Sequence, residues 1–200
     1  MHRRRFVLGA ALLLALFPGG FHAEEPAELP RRISGTVSGA ASRLQGEETR
    51  IAVTIERWST DAERKAATEA LKSGGSGALI AALKKSDVGY MELSGSGGYR
   101  LRFATTFTTE HGRIIRAATD RPIGLGDGAK LPSRDFPLGM LELVYPPEGR
   151  PTGTLLVAAK VRFDEKGNLE VQSLPPNAWI HPIAALQDEP LKRKSKGAEK

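Results

Sequence analysis

The chain has 200 residues, no cysteine and a formal net charge of +6. A cysteine-free sequence excludes a disulfide framework, a thiol nucleophile and thiolate metal sites, so a hydrophobic core must hold the fold. The positive charge sits at the two ends, with three arginines and no acid in residues 1–23 and five basic residues against Glu199 in 192–200. The body between them is close to neutral, which excludes a nucleic-acid partner because such binders cluster cations on a folded face.

Arg3, Arg4 and Arg5 precede an apolar run, Phe6 to Phe17, that stops at Pro18-Gly19-Gly20. This is the order of a secretory signal peptide. The run is shorter than the roughly 20 apolar residues a bilayer-spanning helix needs. Cleavage after about Ala23 is expected, giving an exported protein, periplasmic or secreted, with no transmembrane helix after signal removal. An uncleaved anchor is the alternative, because Phe21 stands where cleavage prefers a small residue. Arg3-Arg4-Arg5-Phe6-Val7-Leu8 fits the twin-arginine export pattern as well as an ordinary signal. Residues 24–32 read as a polar, proline-punctuated linker, 33–187 as one domain and 188–200 as a basic disordered tail.

Ile33 to Gly39 suits an edge strand. Arg50 to Trp58 alternates, with Ile51, Val53 and Ile55 on one face, and predicts a half-buried strand. At Thr60 the period changes. Thr60-Asp-Ala-Glu63 is a capping-box pattern, and Ala62, Ala66, Ala67, Ala70 and Leu71 follow at helical spacing. Ser73-Gly-Gly-Ser-Gly77 interrupts that stripe, and Leu79, Ile80 and Leu83 resume it, so residues 60–86 predict a helical hairpin joined by a glycine loop. Six further strands are expected: Tyr90–Leu93, Tyr99–Thr108, Ile114–Thr119, Met140–Tyr145, Thr154–Phe163 and Leu169–Leu174. Gly167 is placed for a positive φ in the last hairpin. Ala178–Leu186 reads as a final strand that Pro182 confines to an edge. Short strands joined by tight turns imply antiparallel pairing. The fold class expected is α+β, an antiparallel curved sheet or partial β-barrel with the helical hairpin inserted.

Trp58-Ser-Thr-Asp-Ala-Glu-Arg64, Ala118-Thr-Asp-Arg-Pro-Ile123, Arg134-Asp-Phe-Pro-Leu-Gly-Met-Leu-Glu-Leu143, Ala158-Ala-Lys160 and Gly167-Asn-Leu-Glu-Val171 form a series. That series resembles an uncharacterised family of exported bacterial proteins over roughly residues 33–186. The resemblance implies a single exported domain and carries no activity and no functional residue.

Gly124-Leu-Gly126-Asp-Gly128 is the site candidate. A phosphate loop of this kind needs a helix behind it, and Pro132 and Pro137 occupy the span where that helix would lie. The stretch from Asp120 to Pro137 nonetheless exceeds the usual connection length. Asp120, Arg121, Arg134 and Asp135 either clamp an anionic or hydroxylated ligand there or pair with each other to fasten the loop. Ser76 follows a helix rather than a strand, so it reads as a helix cap and not as a nucleophile elbow. His111 and His181 show no metal-ligand spacing, and neither metal nor cofactor is expected. Tyr99, Leu101, Phe103, Thr105 and Phe107 are expected on one core-facing strand face. The functional expectation is a non-catalytic binding or envelope-associated domain; the alternative is a small hydrolase or isomerase using the Asp120 and Asp135 carboxylates.

Overall fold

Among the described residues, period-two alternation becomes nine strands. The structure, a computed structural model, describes residues 28–38, 48–95, 97–110, 112–124, 135–164, 167, 169–173 and 180–191. The strands are β1 (Arg31–Ser38), β2 (Glu48–Ile55), β3 (Gly89–Leu93), β4 (Gly97–Thr109), β5 (Gly112–Thr119), β6 (Leu138–Tyr145), β7 (Thr152–Phe163), β8 (Leu169–Ser173) and β9 (Ile180–Pro190). One helical segment, α1 (Asp61–Leu83), lies between β2 and β3.

All pairings are antiparallel, and they run β6-β5-β4-β3-β2-β1-β9-β7 before returning through β7–β6. Eight strands therefore close into a barrel, and β8 pairs with β7 outside the ring through Val161↔Val171. The expected α+β class with a curved or partial sheet is corrected accordingly: the barrel is closed and the chain is mostly sheet. β1 is no edge either, because β2 and β9 flank it on opposite sides. Pro182 is accommodated because pairing of β9 with β1 begins only at Ile183, so the proline has β7 alone as neighbour.

An eight-stranded barrel has an interior just wide enough for side chains to fill it. Ile33, Val37, Ile51, Val53, Ile55, Met91, Leu101, Ile115, Leu143, Leu155 and Val157 fill it here, each buried. His181 stands opposite core residue Leu155 and is itself 1 % exposed, so it belongs to this interior wall. The outer wall carries Arg32, Arg50, Glu92 and Arg100, exposed or partly exposed. Among the described residues no helix is long and apolar enough to cross a membrane.

A bulge in β4 sets which residues face out. Leu101 pairs with Thr119 but Phe103 pairs with Ala118, so one extra residue is inserted on β4, and such an insertion reverses the alternation. Tyr99, Leu101 and Ala104 belong to the barrel core, whereas Phe103 packs outside beneath α1. The single face expected for Tyr99 through Phe107 is thus split at the bulge. Ser59 docks on the far side of it, donating to the Ala104 carbonyl at 2.8 Å and accepting from the Ala104 amide at 3.1 Å.

α1 starts as its capping box requires. The Glu63 amide donates to Thr60 Oγ1 at 3.2 Å and the Thr60 amide donates to Glu63 Oε2 at 2.8 Å. The expected helical hairpin with a glycine loop is corrected to one helical segment broken at a single residue, Gly75, at φ 62° and ψ −152°. Ala67 and Leu71 before the break, and Leu79 and Leu83 after it, cover Phe103, Leu138, Met140 and Val161 on the outer wall. Thr60→Ala should lower stability by about 1 kcal/mol with the barrel intact; a denaturant midpoint equal to wild type would contradict this.

Glu63 also receives both arms of the Arg57 guanidinium, each at 2.8 Å. That hydrogen-bonded arginine, reinforced by the Thr60 amide against the opposing effect of burial, holds the Glu63 carboxyl well below the usual carboxylate range. A depressed folded-state pKa contributes stability that is present above the unfolded value, about 4.3, and is lost as the pH falls further. Melting temperature is therefore expected to fall between pH 5 and acid, with a shallower fall in Glu63→Gln. Parallel pH profiles for the two proteins would remove this residue from the account.

Candidate functional site

The barrel interior is filled, so a ligand site must lie on the outer wall or at a rim. A concavity lies on the outer wall, where the end of α1 meets β3, β4 and the residues that follow β5. It measures about 640 Å³ and is lined by Glu56, Lys84, Tyr90, Gly98, Tyr99, Arg100, Arg102, Asp120 and Arg121. That volume lies within the ~300–1,000 Å³ usual for small-molecule sites.

Local structure explains each position. Tyr90 and Arg100 are a cross-strand pair of β3 and β4, so both project to the same outer face. Arg102 follows two residues later at the bulge. Its terminal nitrogen donates to the Ser86 carbonyl at 3.0 Å, and its Nε lies 3.4 Å from Asp120 Oδ2. The contact with Asp120 is an ion pair without hydrogen-bond geometry: Arg102 Nε is buried and has no hydrogen-bond acceptor among the described residues. Arg100 reaches Asp87 at the rim, 3.4 Å away, with both side chains at least half exposed.

Arg121 is held firmly. Its carbonyl accepts from Thr119 Oγ1 at 2.5 Å and from the Gly139 amide at 3.0 Å. Its guanidinium donates to the Gly98 carbonyl at 3.0 Å and lies over the Tyr99 ring, 4.9 Å from the centroid. Tyr99 in turn accepts from the Gly124 amide at 2.7 Å. Ile123, 1 % exposed, plugs this end of the barrel and donates its amide to the Val157 carbonyl. The start of the long connection is thus a fixed ledge.

Of the four residues singled out by sequence, Asp120 and Arg121 line the groove. Asp120 pairs with Arg102 of β4, so it binds the ledge to the sheet and not the loop to itself. Asp135 is exposed and does not line the groove. Arg134, with Leu125 to Ser133 and His111, lies outside the described residues. Sequence reasoning missed Arg100, Arg102, Tyr90 and Lys84. Alternation in Tyr99-Arg100-Leu101-Arg102 marks the arginines as outward, but nothing local says that the end of a helix will face them.

Four cations, Lys84, Arg100, Arg102 and Arg121, stand against two carboxylates, Glu56 and Asp120, around two tyrosines. Arginine forks suit planar oxyanions, and tyrosines present an apolar ring with a polar tip. No group of three or more His, Asp or Glu side chains able to hold a metal occurs among the described residues. The chain matches no protein-family model, no curated protein and no solved structure.

Proposed function

We propose that this chain is an exported, non-catalytic binding domain that holds an anionic small molecule in the groove between Lys84, Arg100, Arg102 and Arg121. The observation that carries this reading is the lining of the groove, where Lys84, Arg100, Arg102 and Arg121 outnumber Glu56 and Asp120. A cleft with excess positive charge attracts anions, and arginine forks match planar oxyanions. The signal-like N-terminus supports export, and the filled barrel favours an external site. A hydrolase or isomerase is the weaker reading. It needs Asp120 and Asp135 together, and of the two only Asp120 lines the groove.

Native mass spectrometry of protein recovered from the exporting cell tests the proposal. Wild type is expected to carry a small anion that Arg102→Gln releases, with Asp135→Asn behaving as wild type. Wild type and Arg102→Gln that both fly as bare protein, and that show no response to added inorganic phosphate in low salt, would refute the groove reading.

A further inference from the structure

A second concavity lies beneath α1, about 30 Å³ in volume and lined by apolar residues alone, among them Leu71, Leu79, Leu83, Phe103, Met140 and Leu169. The two share three seams in the chain. Leu83 lines the cleft and Lys84 the groove; Phe103 lines the cleft and Arg102 the groove; Ala118 and Asp120 divide in the same way. The β4 bulge causes this. By inserting one residue it places Arg102 and Phe103 side by side on the outer wall, where a regular strand would send one of them into the core.

We infer that the ligand is an anionic amphiphile, with its oxyanion head on the groove arginines and its alkyl chain in the cleft under α1. This deepens the proposed function and rests on it. The helix above the cleft is divided by Gly75 at a backbone conformation reserved for glycine, and a Cβ there would meet open space. Ala67 and Leu71 line the cleft from one half and Leu79 and Leu83 from the other. The volume is about one water's share of the liquid, so for an alkyl chain to enter, the two halves must part at Gly75. Met140 in the floor is unbranched and adapts to irregular shapes. Polar groups on one side and a dry wall on the other match a molecule with the same division.

Titration calorimetry with the full mature protein separates the possibilities. The probes are inorganic phosphate, then ethyl, hexyl and decyl phosphate below micelle formation, and 1-decanol. Affinity should rise with chain length, decyl phosphate binding at least tenfold tighter than inorganic phosphate and than 1-decanol. Tenfold corresponds to about 1.4 kcal/mol, which burial of about two methylenes supplies. Ala118→Leu, which fills the cleft, should remove the chain-length dependence and leave phosphate binding unchanged. Equal affinity for inorganic and decyl phosphate overturns the amphiphile inference and leaves the groove reading standing. Decanol binding as tightly as decyl phosphate overturns it from the other side, by removing the head from the site. No binding of any phosphate overturns both. The wild-type chain-length series decides the matter even if Ala118→Leu does not fold.

Discussion

Asp188→Ala is expected to destabilise the barrel by about 3–5 kcal/mol, the loss typical when one partner of a buried ion pair is removed. The position looks peripheral, two residues before the end of β9, yet its carboxylate points inward. Asp188 of β9 stands opposite Ile33 of β1, a core residue 1 % exposed, and paired residues share a face. Arg31, two residues before Ile33, has the same orientation and donates from Nε to Asp188 Oδ1 at 2.7 Å. The two side chains are 13 % and 10 % exposed. Arg113 of β5 adds a second cation 3.8 Å from Asp188 Oδ2, and its guanidinium lies 4.4 Å from the centre of the Tyr145 ring.

Burial, with Asp188 beside it, pushes the Tyr145 hydroxyl well above the usual tyrosine range. Neither that hydroxyl nor Asp188 Oδ2 completes a hydrogen bond of normal geometry among the described residues. Removing the carboxylate would leave two arginines facing each other at the barrel mouth with no counter-charge. The control is the double variant Arg31→Met with Asp188→Leu, which replaces the pair by apolar groups of similar bulk. Such replacements are often close to neutral, so the double variant should be more stable than Asp188→Ala alone. Chemical denaturation of the three proteins measures this. A loss below about 1 kcal/mol in Asp188→Ala would place the pair with ordinary surface contacts.

The same cluster shows where the sequence stops being legible. Period-two stretches such as Arg50-Ile-Ala-Val-Thr-Ile55 carry their strand assignment in their own residues, and Thr60 with Glu63 carries its cap. Gly167 takes the positive φ, 80°, that its turn demands. Closure of the barrel is different in kind, because it depends on β1 meeting β9 and on β9 meeting β7. Arg31 and Asp188 are 157 positions apart, and neither stretch is strongly apolar, so local pattern does not announce that they pair. The β4 bulge escapes for a related reason. Arg102 and Phe103 alternate normally with their neighbours on paper, and only the register against β5 reverses them. Of the nine residues that line the candidate site, the sequence pointed to Asp120 and Arg121. Arg102 and Lys84 reach it through that reversal and through the helix end brought over it.

Gly89→Ala is the second large effect expected, a loss of about 2–6 kcal/mol or failure to fold. Three glycines separate the causes. Gly98 in β4 has a negative or extended φ and only the Met91 carbonyl near an added Cβ, at 3.8 Å. Alanine there should change stability by no more than about 0.5 kcal/mol. Gly75 has φ 62° but open space around it, so alanine meets backbone strain alone, about 1–3 kcal/mol. Gly89 has both problems. Its φ is 149°, and a Cβ would run into the carbonyl oxygen of Thr54 on the paired strand. A backbone oxygen cannot swing aside as a side chain can, so β2 and β3 would have to part at Ile55↔Gly89, the last rung of their ladder. That rung holds Val88, which donates to the Leu101 carbonyl at 3.0 Å and accepts from Glu56 at 2.9 Å. Strain and overpacking each contribute about 1–3 kcal/mol, and here they fall on one residue beside the core. Thermal melts of the three variants should therefore rank Gly98→Ala above Gly75→Ala above Gly89→Ala. If Gly75→Ala and Gly89→Ala lost equal stability, the strand contact at Thr54 would be carrying no constraint, and the β2–β3 seam would be looser than its register implies.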